Sequence, residues 1–300
     1  MNASFSLKHL KYFIAVGEHK HFGRAAQACF VTQPTLSAAI KEFEDLLGVQ
    51  LFERTKRHVL VTPIGEELLE RAKAIILEAN ALMEFAQSKG NPLNGDLRLG
   101  VIPTIAPFLL PKLMHAIRDE FPDLTLYLKE DQTARLLDSL HGGHLDLLIL
   151  ALPYEAEGVE TLTFMQDSFY CALPLSHPMC DHKAIMPHDL YDEDLLLLEE
   201  GNCIREHAMA ACSWPSNKGP NEFGATSLST IVQMVANGLG ITLLPQMAIE
   251  AGIDKGCDIK TIPLAQNSPP RDIGLVWRKT SGRAEEFKML ATFLKETLAP

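Results

Sequence analysis

Thr32-Gln33-Pro34-Thr35-Leu36-Ser37-Ala38-Ala39-Ile40-Lys41-Glu42-Phe43-Glu44-Asp45-Leu46-Leu47-Gly48 reads as one helix with both ends written into it. Thr32 is an N-cap residue, Pro34 suits the first turn where no amide hydrogen is needed, and Gly48 stops the helix. Leu36, Ile40, Phe43 and Leu47 recur at intervals of 4, 3 and 4, an apolar stripe for a core. The opposite side then carries Gln33, Ser37 and Lys41. Glutamine pairs with adenine through two hydrogen bonds, serine is a short donor and acceptor, and lysine reaches guanine or phosphate, so this face has the chemistry of a groove reader.

The flanking sequence fits that reading. Residues 7–17 bring Leu10, Phe13, Ile14 and Val16 to one helix, and residues 22–28 form a short alanine-rich second helix. Residues 51–62 alternate loosely around the basic tip Arg54-Thr55-Lys56-Arg57, as a hairpin wing touching phosphates would. A short second helix, a tight turn, a capped third helix and a basic wing, in that order, make a winged helix-turn-helix. The bland alternative is a three-helix domain whose polar face is merely solvated.

Charge distribution supports the same division. The net charge of -11 opposes nucleic acid as a partner, yet residues 1–62 hold eight Lys or Arg against five acids. That is +3, leaving -14 for the remainder: a basic head on an acidic body. No apolar run approaches a membrane span or a signal-peptide core, so the expectation is a cytoplasmic protein with no membrane partner. The six cysteines, scattered through 33.2 kDa, do not suggest a framework of structural disulfides. The eleven histidines show no metal-ligand spacing, and no cofactor is implied.

From Thr62-Pro63 a helix runs to Gly90-Asn91-Pro92. Within it Leu68, Ala72, Ile75, Ala79, Leu82 and Ala86 follow 4, 3, 4, 3, 4 spacing, a coiled-coil seam suited to a two-fold partner. The alternative is a helix packed on its own domain. Late in the chain a helix 227–237 precedes a strand 241–244; directly beyond the seam helix, strands 97–102, 124–129 and 145–150 alternate with helices 107–120 and 134–141. This predicts a parallel sheet covered on both faces. Ligands of such sheets sit beyond the strand ends. Thr104 occupies one such end and Thr133 opens the helix after the second strand, although either hydroxyl could simply cap a helix.

Cys203 and Cys212 lie nine residues apart. If 204–211 is helical, that offset turns the second cysteine about 900° and moves it roughly 13 Å along the axis, whereas a disulfide tolerates only about 7 Å between Cα atoms. Arg205 and the start of a helix beside Cys203 both favour a thiolate. Cys29, Cys171, Cys180 and Cys257 read as small buried hydrophobes.

Phe22-Gly23-Arg24-Ala25-Ala26, Val31-Thr32-Gln33-Pro34-Thr35-Leu36-Ser37 and Glu44-Asp45-Leu46-Leu47-Gly48-Val49-Gln50-Leu51-Phe52-Glu53-Arg54 together resemble the head of the LysR-type transcriptional regulators. The resemblance implies an α/β protein with an N-terminal winged helix-turn-helix at 1–62 and a long dimerisation helix at 63–90. It also implies a two-lobed regulatory domain at 91–300, like the periplasmic binding proteins, with one lobe near 91–165 and 271–300 and the other near 166–270. By the same likeness Thr32, Gln33, Pro34, Thr35 and Ser37 enter the major groove of double-stranded DNA, Arg24 and Arg54 touch its backbone, and subunits form homodimers and homotetramers that address RNA polymerase.

Ile102-Pro103-Thr104, Asp131-Gln132-Thr133, Gly201-Asn202-Cys203-Ile204-Arg205 and Gly240-Ile241-Thr242-Leu243-Leu244-Pro245 are similar to the peroxide-sensing branch of that family. That likeness implies Cys203 as the thiol oxidised by hydrogen peroxide and Cys212 as its resolving partner in a reversible disulfide. It places Thr104, Thr133, Asn202 and Arg205 around the peroxide, with a glutaredoxin- or thioredoxin-type reductant to reset the bridge. Asn202 departs from the pattern, which has His at that position. Asparagine cannot move a proton near neutral pH, so slower oxidation or a different oxidant is expected. The rival readings are a LysR-type regulator answering a small metabolite in its cleft, with incidental cysteines, and a thiol peroxidase, which the DNA-binding head disfavours.

Overall fold

The structure, a computed structural model, describes residues 4–54, 59–88, 92–154, 156–213, 221–225, 227–265 and 268–299. Two compact units divide it, Met1–Ala86 and Gln87–Pro300. In the first, α1 (Leu7–His19), α2 (Phe22–Ala28) and α3 (Gln33–Leu47) lead into the antiparallel pair β1 (Phe52–Arg54) and β2 (Val59–Val61), followed by α4 (Pro63–Ser88). The Thr32 hydroxyl accepts a hydrogen bond from the Thr35 amide, and Gly48 closes α3 in the left-handed conformation, φ 70°. Leu36, Ile40 and Phe43 are buried with Phe13 and Phe52, whose rings meet edge-on at 5.5 Å, while Leu47 is half-buried. Glu44 accepts from the amides of Leu51 and Phe52 at 2.9 and 3.2 Å and so ties α3 to the wing. Thr55, Lys56 and Arg57 of the basic tip lie outside the described residues.

Thr62 opens α4: its hydroxyl accepts from the Gly65 amide at 3.0 Å and donates to the Gln50 carbonyl at 2.8 Å. The seam positions divide between two surroundings. Ala72 is buried in the head core and Leu68 packs against it, whereas Ile75, Leu82 and Ala86 are exposed and Ala79 is half-buried. The head therefore uses the first two positions itself.

The second unit holds β3 (Gly95–Val101), α5 (Ala106–Glu120), β4 (Leu124–Glu130), α6 (Thr133–His141), β5 (Leu147–Leu152), β6 (Val159–Asp167) and β7 (Phe169–Pro174). After these come β8 (Leu196–Leu198), α7 (Cys203–Ala211), β9 (Asn221–Ala225), α8 (Leu228–Ala236), β10 (Thr242–Pro245) and α9 (Gln246–Glu250). It ends with β11 (Ile259–Pro263), β12 (Arg271–Arg278) and α10 (Ala284–Thr297). One lobe is a five-stranded sheet of order β4-β3-β5-β12-β6; the other carries the three-stranded β10-β7-β11 and the pair β8-β9. Each lobe has its own apolar core.

The strands expected to be parallel, at 97–102, 124–129 and 145–150, are so as β3, β4 and β5, but the sheet they belong to is mixed. β3 is parallel to β4 and β5, but β12 is antiparallel to both β5 and β6, and β7 is antiparallel to β10 and β11. The reason is topological. β12 is the segment that returns from the second lobe, so it enters the first sheet without the helical crossover that forces strands to be parallel.

Candidate functional site

The site lies where the two lobes meet, and α7 is its main element. Gly201 takes the left-handed conformation, φ 88°, and turns the chain from the end of β8 into α7. Asn202 stands at the N-cap and Cys203 is the first helical residue. Ile204, Ala208, Ala211 and Cys212 are buried in the core of the second lobe, whereas Cys203 packs against the core of the first. The two thiols thus occupy different surroundings at the two ends of one helix. Neither is in a disulfide. Cys212 caps the C-terminus of α7, fully buried, with its thiol donating to the Ala208 carbonyl at 3.1 Å.

Ile102, Pro103, Thr104, Gln132, Thr133, Gly201, Asn202 and Cys203 line one narrow niche. Thr104 follows β3 and Thr133 begins α6, and both are buried. The Thr133 hydroxyl has no partner of ordinary hydrogen-bond geometry among the described residues, and its influence on Cys203 favours the thiolate. Asn202 is buried and donates from its side chain to the Glu199 carbonyl at 3.1 Å, which fixes its amide.

The cation that reaches Cys203 is Arg271, the first residue of β12. It is 1% exposed. Its guanidinium donates to Asp167 Oδ2 from Nε at 2.9 Å, to the Thr104 hydroxyl at 3.2 Å and to the Thr104 carbonyl at 3.1 Å. Asp167 is buried as well and also accepts from the Met247 amide at 2.9 Å. Burial pushes the Asp167 carboxyl up, against the lowering effect of Arg271. We regard the pair as ionised, since the charge-assisted hydrogen bond from Nε, a second guanidinium nitrogen 2.8 Å from Oδ2 and the Met247 amide all favour the carboxylate. Asp167 and Arg271 face each other across β6 and β12, at the two points where the chain passes between lobes.

Arg205, expected to assist the thiol, instead donates to the Leu198 carbonyl at 3.2 Å. The expected lowering of the Cys203 pKa also needs correction. Burial between the lobes pushes the thiol above its ordinary value, and the Thr133 hydroxyl and Arg271 offset this only in part. Sequence reading missed Arg271, Asp167 and Gln132. An arginine at the head of Arg271-Asp272-Ile273-Gly274-Leu275-Val276-Trp277, a strand apolar from Ile273 onward, was the available signal, because a charge carried into such a strand needs a buried partner.

On the head, Thr32, Gln33, Pro34, Thr35 and Lys41 are exposed at the start and along one side of α3, and Ser37 is half-buried. Arg24 is exposed and donates to the His19 carbonyl at 2.8 Å. The side chain of Arg54 lies outside the described residues. Among the described residues no cluster of three His, Cys, Asp or Glu could hold a metal ion, and no helix is long and apolar enough to cross a membrane.

Residues 7–66 match the bacterial regulatory helix-turn-helix protein, lysR family, and residues 90–299 match the LysR substrate binding domain. The chain is 43% identical over 294 residues to a probable hydrogen peroxide-inducible genes activator of Streptomyces viridosporus, covering 98% of this chain and 94% of the relative. It is 38% identical to the HTH-type transcriptional regulator EstR of Acinetobacter baylyi, covering 100% and 99%. A full-length OxyR variant from Pseudomonas aeruginosa superposes with a TM-score of 0.81 at 35% identity, covering 98% of this chain and 95% of that one. With both family segments in their order and relatives matched over nearly their whole length, the chain belongs to the LysR family of helix-turn-helix transcriptional regulators.

Proposed function

We propose that this chain is a redox-sensing transcriptional regulator that answers hydrogen peroxide by forming a reversible Cys203–Cys212 disulfide. The peroxide reading is supported by the names of its relatives, and one observation carries it to these residues. The two thiols, neither of them in a disulfide, sit at opposite ends of the nine-residue α7, one in the niche between the lobes and the other inside the second lobe. A bridge between them is incompatible with an intact α7. Oxidation therefore unwinds α7, withdraws Cys212 from its core and changes the packing of the two lobes. A bridge contributes about 2 to 4 kcal/mol, enough to shift a two-state balance by tens to hundreds.

Peroxide enters the niche beside Thr104 and Thr133, the Cys203 thiolate attacks it to give a sulfenic acid, and the Cys212 thiol condenses with that acid, releasing water. A glutaredoxin- or thioredoxin-type reductant resets the bridge. The heads of a homodimer or homotetramer read double-stranded DNA through Thr32, Gln33, Pro34, Thr35, Ser37 and Lys41, with Arg24 and Arg54 on its backbone, and the altered assembly changes its contact with RNA polymerase. Subunits associate through the exposed positions of α4.

Mass spectrometry of the peptides containing Cys203 and Cys212, before and after low peroxide, tests the bond. We expect the bridged pair in the wild type and no peroxide-dependent change of DNA footprint in Cys203→Ser. A Cys203→Ser protein that still responds would refute the redox reading and point to a metabolite in the cleft.

A further inference from the structure

His207 lies one helical turn beyond Cys203, at the i+4 position of α7. Side chains so spaced share a helix face with Cβ atoms about 5–6 Å apart, and a helical side chain leans back toward the preceding turn, here the turn that carries Cys203. His207 is half-buried, and among the described residues it has no hydrogen-bond or ion-pair partner. Its electrostatic neighbours are those of the thiol. Arg271 and Glu206 act on both, and Asp272, next to Arg271 on β12, acts on the imidazole as well. Asp167 neutralises Arg271 from β6. Burial and Arg271 hold the His207 imidazole below its ordinary pKa, against the opposing pull of Glu206 and Asp272, so the ring is neutral at pH 7.

We propose that His207 is the proton shuttle of Cys203, taking the thiol proton as sulfur attacks peroxide and giving it to the departing hydroxide. The inference rests on the peroxide reading above and assigns to position 207 the proton transfer that Asn202 cannot perform. The balance closes. Thiol and neutral imidazole become thiolate and imidazolium, the S–O bond forms as O–O breaks, and the imidazolium protonates the hydroxide to water. The thiol has become a sulfenic acid, and the imidazole is neutral again.

This shuttle has a signature in pH. The thiolate–imidazolium pair carries the same protons as the thiol–imidazole pair, so its population does not change with pH between the two pKa values. Stopped-flow oxidation of the full-length wild type should therefore be flat from about pH 6.5 to 8.5, where an unassisted thiol would speed up about tenfold per unit. His207→Gln should oxidise about tenfold to a hundredfold more slowly at pH 7 and regain the steep rise. Asp272→Asn, which removes a charge that raises the imidazole pKa, should move the acid limb of the wild-type profile to lower pH.

A wild-type profile without the plateau overturns the proposal, as does a His207→Gln profile that matches the wild type. Either result, with Cys203 still oxidised, leaves the peroxide reading standing. No oxidation of wild-type Cys203 at any pH sinks both.

Discussion

Arg271 has two functions that cannot be separated. Its charge favours the Cys203 thiolate, and its hydrogen bonds join Thr104 to Asp167 across the points where the chain passes between lobes. Replacing it with methionine, of similar length but uncharged, removes both. Peroxide oxidation of Cys203 should slow about tenfold or more, because the thiol loses a charge that opposes the effect of burial. Stability should fall by about 3–5 kcal/mol, the usual consequence of leaving a buried carboxylate without its partner. Urea unfolding of Arg271→Met against wild type measures the second effect; equal midpoints would show that the ion pair does not hold the lobes. The same residue shows the limit of local sequence reading. A strand end and helix starts, which are written locally, pointed to Thr104, Thr133 and Cys203, which line one niche, whereas the partner of Arg271 is 104 residues away in sequence. Arg205 was the nearer cation along the chain, but its direction is set by the Leu198 carbonyl.

Among the elements, α7 is poised to change. Nine residues form a marginal helix in isolation, so its stability comes from Ile204, Ala208 and Ala211 in the core of the second lobe. Ala210 is exposed on this helix, and glycine there should weaken it by about 1 kcal/mol without removing a core contact. If oxidation unwinds α7, only the reduced form bears that cost. The Cys203–Cys212 bridge of Ala210→Gly should then be more stable by about 20 mV in a thiol-redox titration; an unchanged potential would mean that the helix survives oxidation. The head was legible almost residue by residue, since Thr32, the Leu36-Ile40-Phe43 stripe and Gly48 are local signals. Strand direction in the body was legible for β3, β4 and β5 but not for β12. The apolar pattern of β12 is the same whichever way the strand runs, and only the return of the chain from the second lobe makes it antiparallel.

At the scale of the whole molecule, α4 shows how one apolar stripe is divided. Ala72 is buried in the head core and Leu68 packs against it, while Leu82 is 72% exposed and Ile75 42% in the single chain. Leu82→Glu should therefore weaken subunit association while leaving the head folded. Sedimentation velocity should show slower species with an unchanged circular dichroism spectrum, and retention of the wild-type oligomer would exclude this stretch as the interface. The seven-residue pattern was legible in sequence, but its division was not, because Leu68 and Leu82 look alike until the head packs against one of them.

The buried bridge between Arg271 and Asp167 also sets how such a sensor can diversify. A residue that both pins the crossings and tunes the thiol is closed to gradual change, since every substitution that alters reactivity also loosens the frame. Positions 202 and 207 carry no such double duty: Asn202 holds a single carbonyl through its side chain, and His207 has no hydrogen-bond partner among the described residues. Exchanging the proton-handling groups at 202 and 207 can therefore adjust sensitivity to oxidant without disturbing the cation, and asparagine at one site with histidine at the other is one solution within that freedom.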